Sequence, residues 1–282
     1  MSSIAIWPES NSMSSSYVLH RDLASKPETI VRAKDSYLYL APSHGGGERA
    51  VLDACGGAAV ACIGHGKSEV IEAMISQLAS LHYCHSGAFT TDEVEELAEL
   101  LCKGGDYDKC FFASGGSEAV ESAIKLARQY HLERGAPTRM HFIGRKGSYH
   151  GNLLGALSLG GHAARREPFL PLFSDKFHQI SACYSYREKE TGASDAIYVQ
   201  RLAKELEQKI LDIGAENVAA FVAEPVVGAA TGCVPWVPGY FEAMREVCDR
   251  YEVLLIMDEV SSTTTLAWRT GLADPLRSCV LH

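Results

Sequence analysis

Four short stretches of this 282-residue sequence carry residue types that do chemistry once a fold brings them together. The first is Ser114-Gly115-Gly116-Ser117, between the apolar run KCFFA (109–113) and the helix-like EAVESAIKLARQYHLERG. The glycines let the backbone turn tightly and approach a ligand. Ser117 sits at the helix start, where unpaired N–H groups and the positive dipole end form an anion site, typically for phosphate. A plain glycine turn with a serine cap accounts for the same residues. The second is Gly147-Ser148-Tyr149-His150-Gly151, after an expected strand at 139–144. An aromatic ring and an imidazole between glycines suit stacking on a flat ligand, at the strand end where such sheets collect ligands. A surface turn is the plainer alternative. The third and fourth are Glu224-Pro225 after VAAFVA and Asp258-Glu259 after VLLIM. Each puts a carboxylate just past a buried strand, where an ionised group needs a partner. A buried Asp facing a heteroaromatic nitrogen holds that nitrogen protonated. The plainer alternative for both is an exposed acid or a helix cap.

Two further patterns compete. Ala61-Cys62-Ile63-Gly64-His65-Gly66-Lys67-Ser68 resembles a phosphate loop with Ala in place of its first Gly. LLIMDE (254–259) resembles the acidic strand that completes such a site, and together they read as an ATPase. Each half is weak, because GKS at a helix start and an apolar strand ending in DE are both common. His82-Tyr83-Cys84-His85 hints at metal, but no second ligand group has matching spacing. No metal ligand is assigned.

The elements that must position these residues alternate along the chain. Residues 51–63 read as extended. Residues 67–81 space Val70, Ile71, Met74, Ile75 and Leu78 as a helix. Thr91 begins a second helix with acids in its first turns. Strand 109–113 then precedes the helix that ends at Gly135. Strand 139–144, helix 197–213, strand 218–223, helix 239–250 and strand 253–257 follow. Short apolar strands separated by helices predict an α/β fold with a mostly parallel sheet and helices on both faces. The last 22 residues break this alternation.

Composition narrows the function. At 46% hydrophobic and 22% charged residues the chain is an ordinary globular protein rather than a disordered one. Lys and Arg number 26 against 35 Asp and Glu, a net charge of −9, which disfavours a nucleic-acid partner. No apolar run reaches the roughly 18 residues of a membrane span. The nine cysteines form no CxxC pair, so reduced thiols are expected rather than a disulfide framework. The first 16 residues have no basic segment and no long apolar core. They read as a mobile tail of a cytoplasmic protein.

The stretches GHGKSEVIEAMISQL, FFASGGSEAVESAIKLAR, KGSYHGN and AEPVVGAATGCVPWVPGYFEAMREVCDRYEVLLIMDEV together resemble class III pyridoxal-phosphate-dependent aminotransferases of fold type I. The resemblance runs in order from about residue 20 to Val260, and it absorbs GHGKS and DEV, which the ATPase reading also used. It implies pyridoxal 5'-phosphate as cofactor. It implies amino transfer from an amine or amino acid to a 2-oxo acid, and a homodimer. By the resemblance, Gly115, Gly116 and Ser117 hold the cofactor phosphate, and Tyr149 stacks on the pyridine ring. Asp258 pairs with the ring nitrogen, which keeps the ring an electron sink. Val260 packs on the opposite ring face, Glu224 lies near the phenolic side, and His150 stands behind them.

The family's Schiff-base lysine follows the ring-nitrogen Asp in a Gly-rich segment, and the last lysine here is Lys209. No catalytic residue is therefore identified. Lys146, nearest in sequence to Tyr149, reads as a solvated turn residue. The expected layout is the tail 1–16, an N-terminal part of a small domain at 17–50, an incomplete cofactor-binding large domain at 51–260, and an atypical tail at 261–282. The C-terminal small domain is expected to be missing. The expected activity is an impaired aminotransferase. The alternatives are the same fold doing a different cofactor reaction, such as an aminomutase or a decarboxylating transaminase, a non-catalytic remnant that binds cofactor or a subunit, and the ATPase.

Overall fold

A computed structural model describes residues 16–22, 25–42, 46–103, 107–228, 230–260 and 279–281, with backbone alone at 58, 59 and 279–281. All but Ser16 of the expected N-terminal tail lies outside the described residues, and so does the expected C-terminal tail apart from 261–282's last strand. The chain forms two compact units, Met1–Thr90 and Thr91–His282, whereas the sequence reading begins the large domain at residue 51.

The first unit holds an antiparallel sheet of β1 (Ile30–Lys34), β2 (Tyr37–Leu40) and β3 (Arg49–Leu52), with the helical turn α1 (Gly56–Ala59) and helix α2 (Ser68–Ser80). The extended stretch expected at 51–63 ends at Leu52. Asp53 Oδ1 accepts from Gly56 N–H at 2.8 Å, and Gly56 and Gly57 take positive φ, so the chain turns where a strand was expected. The GHGKS stretch packs on the β1–β2 hairpin. Asp35 and His65 exchange both backbone hydrogen bonds, at 2.9 and 2.7 Å. Gly64, at φ +83°, lies so close that a Cβ would sit 3.1 Å from Asp35 O. Lys67 Nζ is 3.4 Å from Asp35 Oδ1. The glycines and lysine of the phosphate-loop pattern thus serve a hairpin contact.

The second unit contains helices α3 (Asp92–Cys102), α4 (Gly116–Glu133), α5 (Leu154–Leu159), α6 (Ala163–Arg166), α7 (Ser185–Glu188), α8 (Asp195–Ile213) and α9 (Tyr240–Arg250). Its strands are β4 (His141–Arg145), β5 (Phe177–Ile180), β6 (Val218–Ala223), the small pair β7 (Val226–Val227) and β8 (Val234–Pro235), then β9 (Leu254–Asp258) and β10 (Cys279–Leu281). The main sheet runs β10-β9-β6-β4-β5, and every neighbouring pair is parallel.

Alternation along the strands sends side chains to two separate cores. Phe221, Ala223, Leu255 and Met257 join Leu202, Leu206 and Ile210 of α8 and Met244 and Val247 of α9. Ala220, Val222 and Ile256 join Val120, Ala123 and Ala127 of α4 and Ala156 and Leu159 of α5 on the other face. Helices therefore cover both faces, as the sequence predicts. The register slips once: His141 faces Val218 but Phe142 faces Ala220, leaving Ala219 as a bulge. The bulge carbonyl accepts from His131 Nε2 at 2.9 Å, and Arg139 donates to the neighbouring Val218 carbonyl at 2.8 Å.

One expected strand is not formed. Residues 109–113 carry no ladder, and Phe111 and Phe112 stand exposed, because an apolar run becomes a strand only where a neighbour completes its hydrogen bonds. β5 was not anticipated, since the polar His178 and Gln179 mask its period. Among the described residues no helix is long and apolar enough to cross a membrane.

Candidate active site

The C-terminal ends of β4, β6 and β9 deliver Arg145, Glu224 and Asp258 to one edge of the parallel sheet. Asp258 and Glu224 are both buried, at 3% and 4% exposure. Burial of this kind is stable only when each carboxylate finds donors. Asp258 Oδ2 accepts from His150 Nδ1 at 2.7 Å, and Oδ1 accepts from Val260 N–H at 3.3 Å. Because an ionised carboxylate only accepts, Nδ1 carries the proton, and His150 Nε2 is left buried without a protein partner. Glu224 Oε1 accepts from Tyr149 N–H at 3.0 Å and Oε2 from Gly228 N–H at 3.2 Å. Burial pushes the Glu224 carboxyl above its ordinary range, and Asp258 adds to this. His150, the Tyr149 N–H and Arg145 pull it back. Burial and Asp258 push Glu259 up as well.

The loop after β4 is folded onto this edge by close backbone approaches. Gly147 N–H donates to Gly161 O at 3.1 Å, and Gly161 N–H returns a bond to Ser148 O at 2.9 Å. Arg145, almost wholly buried, reaches under the loop and donates Nη2–H to Glu224 O at 2.5 Å. The loop then meets the start of α4. Asn152 N–H donates to Ser117 Oγ at 3.0 Å. Gly151, at φ +133°, lies so near that a Cβ would stand 2.6 Å from Ser117 Oγ and 2.8 Å from its Cα.

At the helix start itself the structure revises why glycine is present. Gly115 is extended at φ −173°, and neither Gly115 nor Gly116 has a positive φ, so no tight turn demands them. Space does. A Cβ on Gly116 would meet Val260 Cγ2 at 3.2 Å, and the position of a Cβ on Gly115 is open to beyond 4 Å. Ser117 does not cap the helix; Gly115 is the N-cap, and Glu118 accepts from Ser114 N–H at 2.9 Å. The first-turn N–H groups of α4 have no partner within the helix. Ser117 Oγ, already an acceptor, keeps its proton to donate.

The sequence-derived residues Gly116, Ser117, Tyr149, His150, Glu224, Asp258 and Val260 are thus brought together at one edge, and Gly115 joins them only as the chain neighbour of Gly116. The Tyr149 ring is half-buried and carries the Arg165 guanidinium 4.7 Å from its centroid. The Lys146 side chain is exposed. Sequence reasoning missed Arg145, Arg165 and Asn152. An arginine closing an apolar strand is the one signal that marks Arg145 in advance. A phosphate at a helix start and a protonated heteroaromatic nitrogen beside Asp258 both fit this donor set.

Comparison with known proteins agrees with that chemistry. The family model for class-III aminotransferases matches residues 23–272. An uncharacterized aminotransferase of Schizosaccharomyces pombe is 48% identical over 87% of this chain and 53% of its own length. The aminotransferase YodT of Bacillus subtilis is 39% identical over 87% of the chain and 54% of its own length. Among solved structures, the omega transaminase of Pseudomonas jessenii in complex with PMP superposes with TM-score 0.77 at 32% identity, over 83% of this chain and 51% of that one. An (S)-enantioselective omega-transaminase of Thermomicrobium roseum gives 0.79 at 36% identity, over 87% and 55%. The chain spans about half the length of these relatives. Class III aminotransferases depend on pyridoxal 5'-phosphate. With the family model covering most of its length and a parallel sheet presenting Asp258 beside the start of α4, this chain belongs to the class III aminotransferase family.

Proposed function

We propose that this chain forms the cofactor-holding part of an aminotransferase that moves an amino group from an amine or amino acid to a 2-oxo acid. The observation that carries the reading is the buried His150–Asp258 pair at the end of β9, on the edge where α4 begins. When bound, pyridoxal phosphate supplies an electron sink for the carbon that loses or gains the amino group. The first-turn N–H groups at Gly116 and Ser117, with the Ser117 hydroxyl and the open space at Gly115, hold its phosphate. Tyr149 supports one face of the ring and Val260 the other. Asp258 keeps the ring nitrogen protonated, and His150 holds Asp258 in place. Glu224, fixed by two backbone N–H groups, limits what approaches the ring's phenolic side. We place the working protein in the cytoplasm as a homodimer, following the family.

An absorbance titration with pyridoxal phosphate, followed by borohydride reduction and mass analysis, tests this reading. A lysine-linked adduct supports aminotransfer by this chain. Saturable binding without an adduct supports the cofactor site but counts against aminotransfer by this chain alone. No binding overturns the cofactor site itself.

A further inference from the structure

The thiols of Cys102 and Cys110 form a sulfur–sulfur contact of 3.4 Å, and no other such contact occurs among the described residues. Cys102 is the last residue of α3, and Cys110 Sγ also lies 3.9 Å from Ala98 O of that helix. The segment holding Cys110 is therefore docked on the final turns of α3, and it leads directly to Gly115 and α4. Both thiols are half-buried and free. A disulfide needs its sulfurs about 2.05 Å apart, so the pair must close by roughly 1.4 Å.

We propose that Cys102 and Cys110 are a disulfide-forming site, oxidised by a low-molecular-weight disulfide such as oxidised glutathione. One thiol gives up its proton and attacks the glutathione disulfide. That S–S bond breaks, a mixed disulfide forms and one glutathione leaves. The second thiol gives up its proton and attacks the protein-side sulfur, forming the Cys102–Cys110 bond and releasing the second glutathione. Two S–H bonds are lost, one S–S bond is formed, and the oxidant leaves as two thiols carrying both protons. Burial and the neighbouring Cys102 push the Cys110 thiol up, which keeps little of it as thiolate at neutral pH. Attack by Cys110 is accordingly slow at neutral pH and speeds up as pH rises. The product ties the end of α3 to the segment entering the anion site, and it forms without any cofactor.

The test is to treat the folded full chain with excess oxidised glutathione, block the remaining thiols and map the peptides without reduction. The expected result is a Cys102–Cys110 cross-link, with the exposed Cys55, Cys62 and Cys233 carrying glutathione. Cys102→Ser is expected to leave glutathione on Cys110 and no cross-link. Contact in the fold, rather than nearness in sequence, is read from the ratio of cross-link to separate glutathione adducts, expected at least about tenfold lower for the same reaction in denaturant. Recovery of both cysteines as separate glutathione adducts, recovery of both unmodified, or an equal ratio of cross-link to adducts in the folded and denatured chain would each overturn the proposal.

Discussion

His150 Nδ1 donates to Asp258 Oδ2 at 2.7 Å, with the two side chains 0% and 4% exposed. The bond joins the loop after β4 to the end of β9, so one contact both satisfies a buried carboxylate and fixes its direction. His150→Ala strips that carboxylate of its side-chain donor and leaves only the Val260 N–H, which costs about 1–3 kcal/mol. For a chain of this size the melting temperature falls by about 2–4 °C per kcal/mol. Asp258→Asn in the His150→Ala background removes the stranded charge and recovers part of the loss, measured as a double-mutant cycle by thermal unfolding. Additive losses would show that the two side chains are not coupled.

Glu224 gives a pH dependence of defined sign. Its folded-state pKa lies above the ordinary 4.5, chiefly through burial. The native state then holds a proton that the unfolded state has lost, so the contribution to stability is complete below 4.5 and disappears as pH rises through the raised value. Glu224→Gln removes this loss. The stability of the variant relative to wild type is expected to rise from pH 4.5 upward and then level off, followed as urea midpoints across pH 4–8. A difference independent of pH would remove burial as the dominant influence on this carboxyl.

Much of this site was legible because its chemistry sits at element boundaries. VAAFVA and VLLIM are apolar on both faces, as a doubly covered parallel strand must be, and Glu224 and Asp258 stand out as the first carboxylates after them. Other features were hidden by the same physics. KCFFA has a strand's composition, yet strand formation depends on a neighbour that local sequence does not encode. Phe177–Ile180 has such a neighbour in β4 and is a strand despite its polar centre. The position of Arg145 at the end of an apolar strand marks it but does not say what it does, because a buried guanidinium is defined by the carbonyl it reaches, here that of Glu224 just past β6. The GHGKS glycines showed that a close approach was needed, but not that its target was the hairpin at Asp35.

Three histidines away from the site oppose Glu224 in sign. Burial lowers the pKa of His131, His141 and His178 below the ordinary 6.5. His141 Nδ1 and His178 Nε2 are 2.8 Å apart, so one proton lies between them and a second destroys the bond. The unfolded chain binds protons that the native state refuses. Their contribution is therefore present above 6.5 and is lost as pH falls through the depressed values. Replacing both His141 and His178 with Gln is expected to flatten the acid limb of stability between pH 6.5 and 5, read from urea midpoints. An unchanged acid limb would place its origin elsewhere.

Gly151 and Gly115 separate folding from cofactor binding. Gly151→Ala puts a methyl group at φ +133° and drives it to within 2.8 Å of the Ser117 Cα, a backbone atom that moves only with α4. The expected cost is on the order of 1–3 kcal/mol, with the loop displaced from Ser117 and the cofactor weakened as a consequence. Gly115→Ala differs in kind. Its φ of −173° suits any residue, and nothing in the protein lies within 4 Å of the added carbon. The melting temperature should stay at the wild-type value while the methyl group occupies space that the phosphate needs, lowering pyridoxal phosphate affinity by at least about tenfold, or about 1.4 kcal/mol. Thermal unfolding and a cofactor titration on the same two variants distinguish the cases. If Gly115→Ala bound pyridoxal phosphate as wild type does, the start of α4 would not be the phosphate site, because no other consequence of that methyl group is available to compensate.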